Sequence, residues 1–133
     1  MASPSVSLGG RVQSTLKANA GVTALVSTRV YDRVPASPTF PYITVDMSDL
    51  VEDDDGCGKH WECTVTVHSW SRSGNSLESR KINGAVRAAL DTITAVTDYA
   101  INYTQFRQER NIGAPDGLTE HGVVVYEFGL AEI

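Results

Sequence analysis

The sequence predicts an α+β fold in one domain spanning residues 1–133: a mostly antiparallel sheet of four to five strands, packed with two main helices around a long central hairpin. Three observations carry this prediction. Apolar and polar residues alternate from Tyr42 to Ser48 and again from Trp61 to Trp70, the pattern of strands with one buried face. A helical stripe at Leu77, Ile82, Ala85, Val86, Ala89 and Leu90 follows directly. Two more apolar runs, at about 100–108 and 122–130, flank the turn cluster Gly113-Ala114-Pro115-Asp116-Gly117.

Taken in chain order, Leu8, Val12 and Leu16 recur every four positions and predict a first helix between Ser5 and Ala18, weakened at Gly9-Gly10. Asn19-Ala20-Gly21 breaks it. Val22 to Val26 then forms a helical turn leading to a strand over Arg29 to Val34. Pro35, Pro38 and Pro41 mark a loop, since each lacks an N–H and biases its predecessor towards extended geometry. In the central hairpin, Ile43, Val45 and Met47 share one face with Trp61, Cys63, Val65 and Val67. Thr44, Asp46, Thr64, Thr66 and His68 share the other. Between the strands lies an acidic loop of about ten residues, longer than the usual two to five. The second main helix starts where Asn75 can cap and Glu78 can reach back to complete a capping box. Arg80, Lys81 and Arg87 turn outward from it.

A chain of 133 residues can bury roughly two thirds of its unfolded surface. Its 41% apolar and 20% charged residues are ordinary for a soluble globular protein. No apolar run approaches the ~20 residues of a spanning helix. The start, Met1 to Ser5, has neither a basic nor an apolar leader region, which predicts folding in the cytoplasm. A net charge of −5 argues against wholesale binding to a phosphate backbone. Acid concentrates at Glu52-Asp53-Asp54-Asp55, and base at Arg72, Arg80, Lys81 and Arg87.

The spacing Cys57-x2-His60-x2-Cys63-x4-His68 suggests a zinc site. Strand alternation opposes it, because Cys63 must point away from His60 and His68; Cys63 is expected to be a small buried hydrophobe. Asp53, Asp55, Gly56 and Glu62 imitate part of a calcium loop, yet Val51 and Lys59 stand at ligand positions and the flanks are strands where helices are required. No nucleophile lies beside a base, so no catalytic or cofactor-binding residue is assigned. His121, near Asp116 and Glu120, reads as a turn histidine. Trp61 and Trp70 face opposite ways. Trp70 is either an interface anchor or covered by the second helix.

Tyr31-Asp32-Arg33-Val34-Pro35, then Phe40-Pro41-Tyr42-Ile43-Thr44-Val45, then Val65 to Arg72 running into the helix, resemble in order and spacing the tail-completion, or tail-terminator, proteins of long-tailed bacteriophages and phage-derived gene transfer agents. The C-terminal Asp116 to Val124 extends the likeness. The resemblance implies a structural virion protein rather than an enzyme. Such a protein caps the head-proximal end of the tail tube and joins tail to head as a hexameric ring. Its partners are further copies of itself, the tail tube protein and a head–tail connector protein. DNA passes only in transit, and neither membrane nor cofactor is involved. Charge and position then nominate Asp53, Asp54 and Asp55 for contacts across subunits, with Arg72, Arg80, Arg107 and Arg110 as acceptors and Trp70 as an anchor. Rival expectations are a head-side connector or stopper ring, and an ion-binding domain using the acidic loop.

Overall fold

The computed structural model describes residues 2–54 and 58–133. In order they form α1 (Pro4–Ala18), α2 (Ala20–Val26), β1 (Val30–Tyr31), β2 (Tyr42–Glu52), β3 (His60–Ser71), α3 (Leu77–Leu90), β4 (Tyr99–Gly113) and β5 (Glu120–Glu132). The sheet order is β1-β2-β3-β5-β4. Only β1–β2 is parallel; the other pairings are antiparallel. The α+β class and the mostly antiparallel sheet are as the sequence predicts.

Helix α1 starts at Pro4, whose missing N–H is no loss in a first turn. Ser3 caps it by accepting the Ser5 N–H. Asn19 ends α1 and opens α2, its Oδ1 accepting the Val22 N–H at 3.1 Å. Leu8, Val12 and Leu16 are fully buried. The glycines expected to weaken α1 have a packing role at Gly9, where a Cβ would lie 3.4 Å from Met47 Cγ. α1 thus crosses β2 there at ordinary contact distance.

All three helices cover one face of the sheet. That face carries Ile43, Val45, Cys63, Val65, Val67, Val124, Tyr126, Phe128 and Leu130, packed against Leu8, Leu16, Ile82, Val86 and Leu90. A bulge between Met47 and Asp49 keeps Leu50 on this face too, opposite Cys63. The face predicted to be buried is therefore the buried one, and α3 does not cover Trp70. Burial pushes the Cys63 thiol up to about 11, so it stays protonated at neutral pH. It points away from the His68 face, which removes the geometric basis of a Cys2His2 site; Cys57 lies outside the described residues.

Several local expectations are corrected. β1 is only Val30–Tyr31, because the chain leaves the sheet before Val34, which is exposed. β4 and β5 are longer than the apolar runs suggest, since backbone pairing carries them on through polar residues. Leu77 is exposed: it is out of phase with the buried stripe Ser79, Ile82, Asn83, Val86, Ala89 and Leu90. The capping box does not form. Asn75 Oδ1 accepts the Leu77 N–H at 2.9 Å, whereas Glu78 accepts the Ser71 hydroxyl at 2.6 Å and so ties the end of β3 to α3.

Candidate functional site

The face of the sheet away from the helices is formed by Tyr42, Thr44 and Asp46 of β2, Thr64, Thr66, His68 and Trp70 of β3, His121, Val123, Val125 and Glu127 of β5, and Gln105, Gln108 and Arg110 of β4. At one end sits a stacked ring cluster. Trp70 lies flat on His121, with centroids 3.9 Å apart and planes at 9°. His68 Nδ1 and His121 Nε2 are 2.7 Å apart. Tyr42 and Phe40 extend the stack, and the Arg72 guanidinium lies over Phe40 at 4.3 Å. His121 is thus a strand residue paired across to β3, not a turn histidine. The β3–β5 register that joins residues 53 positions apart has no signature in local sequence.

One imidazole must donate and the other accept in this contact, so the accepting ring must be neutral and the two cannot both be protonated. Burial lowers the His68 pKa, partly offset by Asp46. Burial also lowers that of His121, and the His68 and Arg110 charges add to the effect. The folded state therefore holds fewer protons than the unfolded chain near pH 6.5. The stability tied to neutral histidines is complete above that pH and is lost as pH falls below it. Melting temperature should fall between pH 7.5 and 5.5, and His121→Gln should flatten that slope. An unchanged slope in the variant would remove the pair from the account.

The nominated interface residues divide into groups. Asp53 and Asp54 are exposed at the hairpin tip, where the Asp53 N–H extends the ladder to the His60 carbonyl at 2.8 Å. Lys59 pairs with Glu52 at 2.8 Å beside them. Asp55, like Gly56, lies outside the described residues. The flanks of the tip are strands, and Glu62 is fixed in β3 opposite Val51, away from a loop position. Arg72 is held within the subunit: its Nε donates to Thr119 Oγ1 at 3.0 Å, and Nη2 is 3.7 Å from Asp116. Asp116, kept below its usual pKa by the Leu118 and Thr119 N–H groups and the Thr119 hydroxyl, anchors that turn. Arg80 lies on the exposed side of α3, its Nε donating to Ser76. Arg107 and Arg110 lie on β4 and are exposed; Arg107 pairs with Glu127 at 3.0 Å. Arg107 and Arg110 share the open face with Trp70, and Arg72 reaches the end of the same ring cluster at Phe40.

β4 is 15 residues long, lies at the sheet edge and is exposed along most of its length. Sequence reasoning did not identify it as an edge. Tyr103 lies across Gly129, where a Cβ would meet its ring, and its hydroxyl donates to Glu127 at 2.6 Å. The same carboxylate accepts from Arg107, so the outer strand is fastened to β5 on the open face. On the helix side Arg87 lies over Phe106 at 4.1 Å and pairs with Glu109.

The sequence profile of the family described as Tail completion protein gp17 matches residues 10–130. The chain belongs to this tail completion family. One solved structure, the virion of a native gene transfer agent (GTA) particle, contains a chain that superposes at TM-score 0.89 with 19% identity, over 98% of this chain and 99% of that one. The bacteriophage SPP1 gp17 protein superposes at TM-score 0.60 with 17% identity, over 93% and 88% of the two chains. No curated protein matches by sequence. At these identities the structural likeness concerns the fold, whereas the profile establishes the family. Members of the tail completion family are structural tail proteins, and no helix among the described residues is long and apolar enough to cross a membrane.

Proposed function

We propose that this tail completion protein closes the head-proximal end of a tail tube as a hexameric ring and joins the tail to the head. The observation that best supports this is the layout of the two open sheet edges. One is β4, carrying Arg107 and Arg110 on the open face, with Glu109 on the helix face paired to Arg87. The other is β2 beyond Thr44, where β1 no longer covers it, carrying Asp46, Asp49 and Glu52. Opposite edges of opposite charge suit a head-to-tail contact, and such contacts close into rings when repeated around an axis. The acidic tip at Asp53 and Asp54, with Asp55, then projects past the end of the sheet and suits an axial partner, the tube protein or the head connector. Net negative charge lets DNA pass the lumen without being gripped. Arg72, just past the end of β3, and Arg80, on α3, lie off these two edges and are not used in this contact.

Fluorescently labelled protein mixed with purified tail tubes tests this. Each tube should carry label at one end. Label spread along tube walls would overturn the reading; label on isolated head connectors and absent from tubes would favour a head-side ring instead.

A further inference from the structure

We propose that the ring is joined strand to strand, with β4 of one subunit adding antiparallel to the free edge of β2 in the next; this rests on the ring reading above. β2 and β4 run antiparallel within one sheet, so rotation about an axis along the strands brings the next β2 beside β4 in antiparallel orientation. Two independent matches follow when the edges meet at equal height. On the open face, Asp46 stands level with Thr66, Val125 and Gln108, and Asp49 level with Thr64, Glu127 and Gln105. Arg107 falls between those two levels, so it meets Asp46 and Asp49 of the neighbour; Arg110 stands level with Thr44, where β1 already covers β2, and so lies at the limit of the free edge. The Arg107 fork can make these contacts while keeping Glu127, because it has five N–H donors.

On the helix face, Met47 stands level with Val65, Tyr126 and Phe106. Phe106 is 39% exposed. Beside Met47 a groove of about 750 Å³ opens between α1, the end of β1 and the β2 edge, with Val6, Gly9 and Met47 on its apolar side and Lys17, Asp32 and Arg33 on its charged side. Phe106 of the neighbour, one face under Arg87 of its own subunit, would lay its exposed edge against Met47 at the mouth of that groove. A long unpaired edge is a template for another strand, and this pairing uses one with its charges and its exposed ring both matched. It also separates two roles. Asp46 and Asp49 serve the subunit contact, and the acidic tip is left for axial partners.

Asp46→Cys and Gln108→Cys, each in a Cys57→Ser background, test the pairing by air or copper oxidation. Within one subunit the two positions are three strands apart, roughly 14 Å, and a disulfide needs Cα atoms within about 7 Å; any link is therefore between subunits. The mixture of single variants should yield linked dimers, each variant alone should not, and the double variant should yield a ladder up to the ring. Ring-sized particles by light scattering without links would overturn the strand pairing and leave the ring intact. Links in Asp46→Cys alone would mean a two-fold contact and overturn it as well. If no ring-sized species forms, with or without tube ends, the ring reading and the pairing fall together.

Discussion

Gly122→Ala is expected to destabilise the fold by about 3 kcal/mol, a fall in melting temperature on the order of 10 °C. Gly122 lies on the helix face of β5, between Ser69 of β3 and Asn111 of β4. A Cβ there would collide with the Ser69 hydroxyl and come within 2.6 Å of Asn83 Oδ1 and Ser79 Oγ. These groups cannot step aside freely, for they form one buried network. Asn111 Nδ2 donates to Ser79 Oγ at 2.6 Å, and Asn83 Nδ2 to the Arg110 carbonyl at 3.4 Å. Ser69, Ser79 and Asn83 are almost wholly buried, so breaking their contacts leaves desolvated polar groups unpaired. The network also links α3 to the start of β5 and to β4. Hydrogen exchange in β4 should therefore rise in the variant. A melting curve unchanged within 2 °C would contradict this reading of Gly122.

Leu8→Ala is expected to cost a similar amount, about 3 kcal/mol, by leaving a cavity under α1. Leu8 is fully buried and belongs to the cluster with Val12, Leu16, Ile43 and Val45. Its consequence reaches beyond stability. α1 forms one wall of the groove beside β2, with Gly9 against Met47, so loosening its seat disturbs the surface proposed to receive Phe106. Urea unfolding should give the stability loss, and light scattering below the melting point should give weaker assembly. Full stability loss with assembly untouched would separate α1 from the interface.

The elements legible in the sequence were those with one face in water. Ile43, Val45 and Met47, or Cys63, Val65 and Val67, recur at the strand period because every second residue is buried. What failed had non-local causes. Leu77 looked like core by composition but is out of phase with the stripe, whereas the polar Ser79 and Asn83 are in phase and are buried by hydrogen bonding. The His68–His121 contact depends on β3–β5 register, and the exposure of β4 on its place at the sheet edge; neither leaves a local periodic trace. Charge clusters were visible in sequence, but their partners were not: Arg72 is tied to Thr119 and Asp116, and Arg107, on the exposed edge strand with Arg110, is tied to Glu127. The Asp46 and Asp49 carboxylates become an edge feature only through the sheet order and the end of β1 at Thr44, neither of which leaves a mark in local sequence.

Molar mass by light scattering, from micromolar concentrations upward and with or without purified tail tubes, tests the central claim most directly. A ring-sized species should form, from the protein alone or only at tube ends. A protein that stays monomeric at every concentration, ignores tubes and gains thermal stability with calcium would contradict it.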